Sequence, residues 1–395
     1  MSKYNTVFDA ITRPFAWLDY DALDQNIAFV QNACGNKKIR LATKSIRSVE
    51  VLRYLHNKLS NCSGLMTFTG EETIYLIEQG FDHLLIGYPI MEETSILTLL
   101  QFAKAGYDIT FMVDHIDQVN LIQHHASQLD VIAQVCIDIN LSVDFKFIYF
   151  GTKRSPLDGY EKIAQVIHHI MAQPNVVVHG VMGYEAQIAG LADSSRRSTG
   201  WLKETIKDGL IKELKKQSIF HLEQLRLEAL NLIKTLAQPA IINGGGSGSM
   251  QYTANQQVTE ITVGSAFYAP ALFDGYNALE LQPAAGFALS VTRKFSENIV
   301  VCHGGGYIAS GAPNTDRLPQ FLEQQKYEYL ATEGAGEVQT PIKIKQGNVA
   351  LGDSIYFRHA KAGELCERFL ALHSIRGNDY LGPIKTYRGD GQCFL

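Results

Sequence analysis

The sequence predicts a closed (β/α)8 barrel, a TIM barrel, followed by a second, mostly β domain. Three observations carry that expectation. Eight short apolar runs recur through the first two thirds of the chain, most of them separated by amphipathic stretches. The runs are continuous rather than alternating, which suits parallel strands covered on both faces. After about residue 275 the texture changes to short runs punctuated by Gly, Pro and Asn, the pattern of an all-β unit.

Taken in order, residues 1–14 are polar and weakly periodic. Residues 15–19 read as a strand, and residues 20–33 read as a helix with Leu23, Ile27 and Val30 on one face. The eight barrel strands are expected at 39–43, 64–68, 83–87, 109–113, 131–139, 176–182, 240–242 and 261–263. Amphipathic helices are expected at 71–79, 116–128 and 160–171, and 201–236 reads as an expanded helical crossover before the seventh strand. The expected division is a barrel domain over 15–275, with 1–14 and 276–395 forming the β domain.

A chain of 395 residues exceeds one ordinary core, in keeping with that division. Its composition, 46% hydrophobic and 19% charged, excludes a disordered chain. A net charge of −5 with no basic block argues against nucleic acid or an anionic membrane as partner. No apolar stretch approaches the ~18 residues of a membrane span. The six cysteines are scattered without metal-like spacing, and residues 1–14 carry no secretory pattern, so reduced thiols and a cytoplasmic location are expected.

Chemistry should gather at the carboxyl ends of the barrel strands. Lys44 ends the first, with Ser45 as the expected N-cap of the helix behind it. A partly desolvated lysine there can form a Schiff base. Tyr184 and Glu185 follow the sixth strand. The run Asn243-Gly244-Gly245-Gly246-Ser247-Gly248-Ser249 follows the seventh, and Gly264-Ser265-Ala266 the eighth. Loops after strands seven and eight commonly hold a phosphate, through backbone N–H groups freed by glycine and hydroxyl donors from serine. A dinucleotide fingerprint fails because Ser249 takes its final glycine position. The run His303-Gly304-Gly305-Gly306 lacks the G-x-S-x-G partner an esterase requires. A reactive lysine and a phosphate cup on one face suggest pyridoxal phosphate (PLP), or a Schiff-base sugar-phosphate aldolase.

These residues carry a family resemblance over essentially the whole chain. The arrangement resembles the fold-type III PLP enzymes, the alanine racemase barrel, and most closely the D-threonine aldolase and D-serine dehydratase group. The resemblance implies that Lys44 is the PLP lysine and Tyr184 an active-site tyrosine. It makes Arg154 the arginine of the loop after the fifth strand, and Asn243, Gly245, Gly246, Ser247 and Ser249 the phosphate loop. Tyr268 then lies in the last barrel turn. Where racemases carry an arginine beside the pyridine nitrogen, this chain has Thr262, with Glu260 two residues earlier. A neutral or acidic partner suits elimination or aldol chemistry.

The resemblance also implies a divalent metal, Zn or Mn, held in the β domain by His359 and a second ligand two residues on. That position is Lys361, whose ammonium is not a ligand. Glu364 or Cys366 would have to complete the site, or His359 is a structural histidine. His303 and Tyr307 are further β-domain candidates. The expected function is a PLP-dependent lyase, an aldolase or dehydratase, acting on a β-hydroxylated D-amino acid. An amino-acid racemase and a non-catalytic PLP carrier are the alternatives. The resemblance further implies a homodimer, with the β domain of one subunit closing the barrel mouth of the other.

Overall fold

The computed structural model describes residues 3–144, 149–185, 188, 219–220, 222–312 and 314–395. Eight parallel strands close into a barrel: Lys38–Ala42, Cys62–Thr67, Leu84–Ile86, Ile109–Val113, Ala133–Ile139, Val176–Gly183, Ile241–Gly244 and Glu260–Val263. They are called the first to eighth barrel strands below. Each falls on an expected apolar run. The run Ile109–Val113 is buried at all five positions, as a strand between barrel interior and helix layer must be. Helices Glu93–Lys104, Ile116–Leu129 and Tyr160–Met171 lay their apolar faces on the barrel wall. Residues 219–220 and 222–236 form the described part of the expected 201–236 crossover, and the rest lies outside the described residues.

Inside the barrel, Met66, Leu85, Met112, Cys136 and Met182 form an apolar plug of their own. Because side chains alternate along a strand, the residues two positions further on also face inward, at the carboxyl end. Those residues are Gly87, Asp114, Asp138 and Tyr184, whereas Phe68, two beyond Met66, packs against Arg47 and Phe394. The plug is therefore the floor of the mouth, and these four positions begin its wall. Near the other end, Arg40 and Glu260 form a buried ion pair, with Nε–Oε1 at 2.5 Å. Arg40 also donates to the carbonyls of Leu65 and His83.

The second sheet has nine strands. Its path runs Tyr327–Tyr329, Gln339–Ile344, Ile299–His303, Ala285–Ser296, Phe15–Asp19, Ala371–Arg376 and Asp379–Lys385. Ser354–Arg358 pairs with Ala285–Ser296 and Gln320–Phe321 off that path. This corrects one expectation: Phe15–Asp19 belongs to this sheet and not with the barrel. It runs antiparallel to Ala285–Ser296 and parallel to Ala371–Arg376. Trp17 is fully buried among Tyr4, Phe8, Phe15, Ala288, Tyr356 and Ile375. A five-residue apolar run says that a strand is buried, not which sheet buries it. Asp19 then turns the chain into helix Tyr20–Cys34, its carboxylate accepting from the Asp21 and Ala22 N–H groups.

The sheet domain is keyed onto the barrel behind the first strand. Tyr387 N–H donates to the Arg47 carbonyl at 2.9 Å, and its hydroxyl donates to Glu72 at 2.9 Å. Gly363 has φ +84°, and a Cβ there would overlap the Lys44 carbonyl oxygen. Only glycine lets this loop of the β domain sit flush on the lysine turn.

Candidate active site

The first barrel strand ends in a short 3-10 turn, Thr43–Ser45, anchored by the Thr43 hydroxyl on the Met66 carbonyl. Arg47 adopts φ 51°, which costs a side-chain-bearing residue roughly 1–2 kcal/mol. Its guanidinium offsets the cost by donating to the Lys44 carbonyl (2.9 Å) and to Glu367 (2.7 Å). The helix behind the turn, Val49–Lys58, opens at Ser48 and not at Ser45 as the sequence suggested. Ser45 instead meets the Ser265 hydroxyl at 3.1 Å, tying the first turn to the turn after the eighth strand. Lys44 is thereby held at the mouth. Its Nζ donates to the Tyr88 hydroxyl at 2.5 Å. Burial alone would raise the Tyr88 phenol, but the Lys44 charge and hydrogen bond, with Arg154, outweigh it and bring the phenol below its ordinary value.

The glycine loop after the seventh strand is pinned from beneath by Glu185, which is fully buried. Its carboxylate accepts from Gly245 N–H (2.7 Å), Thr253 Oγ1 (3.2 Å) and Ser249 Oγ (3.4 Å), and pairs with Arg226. Arg226 in turn donates to the Gly183 carbonyl at 2.8 Å. The sequence reading gave Gly245 N–H and the Ser249 donors to a phosphate. The structure corrects this, since Glu185 takes the first and the Ser249 hydroxyl, while Ser249 N–H bonds Gly246 O. The Ser247 hydroxyl oxygen accepts from Ala266 N–H at 2.9 Å, which leaves its O–H to donate. The N–H groups of Gly246, Ser247 and Gly248 have no partner among the described residues. Gly245 is a glycine for packing, since φ is +88° and a Cβ would lie 2.5 Å from Ile261 Cγ2.

Gly264 lets the eighth-strand turn press on the first, because a Cβ there would meet Ala42 and Ser45 at 2.8 Å. The unpartnered N–H groups and the Lys44 turn therefore share one rim, joined through Ser45 and Ser265. A cofactor with an aldehyde for the amine and a phosphate for the N–H groups fits these residues.

Asn243 and Thr262 face each other inside the barrel, amide to hydroxyl at 2.9–3.0 Å. Asn243 also donates to Glu260 at 2.8 Å. Glu260 is thus consumed by Arg40, Asn243 and Ser63. Burial favours its neutral form, but Arg40 and these hydrogen bonds prevail and hold the carboxyl below the usual range. Arg154 stands on an exposed loop tied to the fifth strand by the Ser155 hydroxyl on the Asp138 carbonyl, 2.6 Å. Burial raises the Tyr184 phenol, with Arg154 opposing. Tyr268 does not reach the mouth. It is fully buried, donates to the Ile46 carbonyl at 3.2 Å, and stacks edge-on to His359.

The metal set expected in the β domain does not assemble. Among the described residues no three His, Cys, Asp or Glu side chains are grouped to hold a metal ion. His359 is buried, and desolvation with the adjacent Arg358 lowers it to about 3, so it is neutral. Glu364 is turned to the backbone and hydroxyl of Ser310 and to Lys361. Cys366 is buried against Tyr268, and burial pushes its thiol up to about 12. Lys361 fills the second-ligand position and donates to Ser310 at 2.9 Å. A cation with its partners in place does not fit a divalent ion beside it.

Three wall residues escaped the sequence reading: Tyr88, Asp114 and Asp138. Each follows or ends the third, fourth or fifth strand, so strand-end position alone would have found them. Asp114 and Asp138 lack the neighbouring glycines that mark the later loops.

The alanine racemase N-terminal domain family matches residues 18–271, and the chain belongs to that family. It is accordingly a member of the fold-type III PLP enzymes. No curated protein sequence matches. Among solved structures the fold is similar to D-threonine aldolase from Filomicrobium marinum, with 14% identity over 98% of this chain and 96% of that one, TM-score 0.79. D-threo-3-hydroxyaspartate dehydratase from Delftia sp. HT23 follows, with 15% identity over 95% and 97%, TM-score 0.75. Alanine racemase of Clostridium difficile 630 shows 15% identity over 95% and 99%, TM-score 0.64. Among the described residues no helix is long and apolar enough to cross a membrane.

Proposed function

We propose that this protein is a PLP-dependent lyase acting on a β-hydroxylated D-amino acid. The observation that carries the choice over a racemase is the neutral Asn243–Thr262 pair on the inner wall of strands seven and eight. By the family resemblance this is where the pyridine nitrogen would rest. The nearest cation on that wall, Arg40, is neutralised by Glu260. A bound PLP would supply an electron sink for the substrate's Cα, and a neutral wall leaves that sink strong.

This chain's residues supply the rest. The Lys44 amine holds the aldehyde end and, once released, moves the Cα proton. Gly246, Ser247 and Gly248 N–H groups bind the phosphate. Tyr88 orients the amine, and Arg154 offers its charge to a substrate carboxylate. The reading includes a homodimer whose β domains cover the barrel mouths and exclude water.

The test is a product assay on purified, PLP-loaded protein over a panel of D- and L-amino acids, with and without added Mn²⁺ or Zn²⁺. Aldehyde or keto acid from D-threonine or D-serine is expected. Racemisation of alanine with neither lyase product would overturn the reading.

A further inference from the structure

The site as described has one proton-handling amine, and a β-hydroxy substrate needs a second group for its leaving oxygen. The barrel's topology points to where that group stands. In a closed ring of eight strands the fifth lies diametrically across from the first, four places away in either direction. Asp138 faces inward on the fifth strand, two residues beyond the plug residue Cys136, so its carboxyl stands on the wall opposite Lys44. The register Met112↔Cys136 and Val113↔Ile137, carried one step on, sets Asp114 beside it on the neighbouring strand. Neighbouring strands lie about 4.8 Å apart, so two carboxyls share this part of the wall. Asp114 is oriented by Gln118, whose amide donates to it at 2.9 Å.

We propose that Asp138 is the general acid of a dehydration, delivering a proton to the substrate's β-oxygen from the wall opposite Lys44. This rests on the lyase reading and narrows it to elimination. In the step, Lys44 Nζ takes the Cα proton. The Cβ–O bond breaks with its electron pair going to oxygen, which accepts the Asp138 proton and leaves as water. The former Cα–H pair becomes the Cα–Cβ double bond. Solvent then returns a proton to the Asp138 carboxyl.

The surroundings keep that proton in place. Burial first, then the Asp114 carboxylate, pushes the Asp138 carboxyl up to about 7, against the opposing charge of Arg154. Other titratable groups near it are Tyr88 on the third-strand turn and Cys136 one tier below. Tyr184 begins the wall on the sixth strand, and Lys44 stands across the mouth.

Infrared spectroscopy of the cofactor-free protein between pH 5.5 and 8.5 reads the protonated carboxyl directly. Glu72 titrates in the same range, so the Asp138-dependent band is taken as wild type minus Asp138→Asn. A band present at pH 6 and lost near pH 7 is expected, with its midpoint moved lower in Asp114→Asn. Asp138→Asn should lower kcat for D-amino-acid dehydration on the order of 100-fold, with PLP affinity within threefold of wild type. Absence of the band, or turnover within threefold of wild type, overturns the proposal while leaving the lyase reading intact. A wild type that racemises without releasing keto acid overturns the lyase reading, and with it the dehydration step, even if the band is present.

Discussion

Replacing Glu185 with Gln should loosen the cofactor cup and the fold together. The carboxylate is fully buried and serves Gly245 N–H, Thr253 and Ser249 while neutralising Arg226. A glutamine keeps one oxygen and turns an NH2 toward at least one of these donors. The larger loss is Arg226, left buried and uncompensated, which typically costs about 3–5 kcal/mol. The loop carrying Gly246, Ser247 and Gly248 is held through Gly245. If about 2 kcal/mol of that loss falls on ordering the loop, the PLP Kd rises roughly 30-fold. Denaturant unfolding of the cofactor-free protein and a spectroscopic PLP titration measure the two effects separately. The double variant Glu185→Gln/Arg226→Met removes the orphaned charge and should recover much of the stability without recovering PLP affinity. A single variant that loses under about 1 kcal/mol, with PLP affinity within threefold, would show that the loop is not held this way.

Other outcomes can be measured directly. Lys44→Ala should bind no borohydride-reducible PLP, and a reduced adduct mapped by mass spectrometry to another lysine would remove Lys44 from its role. Glu72 is lifted from 4.5 to about 7 by burial, against hydrogen bonds from Thr43, the Phe68 N–H and Tyr387 and the charge of Arg47. Because the folded state holds that proton more tightly, the linked stability is fully present below pH 4.5 and is lost as pH rises through 7. About 3 kcal/mol is at stake. The stability of Glu72→Gln relative to wild type should therefore rise between pH 4.5 and 8, and parallel stability curves would contradict the raised carboxyl. Gly363→Ala, forced against the Lys44 carbonyl at φ +84°, should destabilise by about 2 kcal/mol or more and reduce PLP occupancy. Size-exclusion with light scattering at micromolar concentration should give a homodimer, and a fully active monomer would refute it.

The barrel was legible because burial on both faces writes each strand as an uninterrupted apolar run. The lysine and the glycine-rich loop were legible because strand ends in such a ring have a known use. What escaped was pairing information. Nothing in residues 15–19 names Ala371–Arg376 as a neighbour. Glu185 was read as a mouth residue, yet it points under the loop because Arg226, far along the chain, arrives to meet it. The phosphate donors shifted from Gly245 and Ser249 toward Gly246–Gly248 for the same reason. Asp114 and Asp138 are single acids with no local motif, and only the inward parity of their strands marks them. The expected metal set of His359, Glu364 and Cys366 failed for the same reason, since nothing local to Glu364 names Ser310 and Lys361 as its partners.

The placement of Phe15–Asp19 has a consequence for how the chain is made. Its two neighbours in the sheet are supplied by Ala285–Ser296 and Ala371–Arg376, so the strand emerges from the ribosome about 350 residues before its second edge is covered. At 5–20 residues per second that interval is tens of seconds, long enough for the barrel to close while an apolar ribbon containing Trp17 waits unpaired. The stretch from residue 363 to 387 completes the sheet and delivers Gly363 and Tyr387 to the back of the Lys44 turn. Maturation of the lysine site is therefore tied to translation of the carboxyl-terminal segment. Premature termination would leave a closed barrel without its brace and with a sticky leading ribbon, a target for chaperones and proteases.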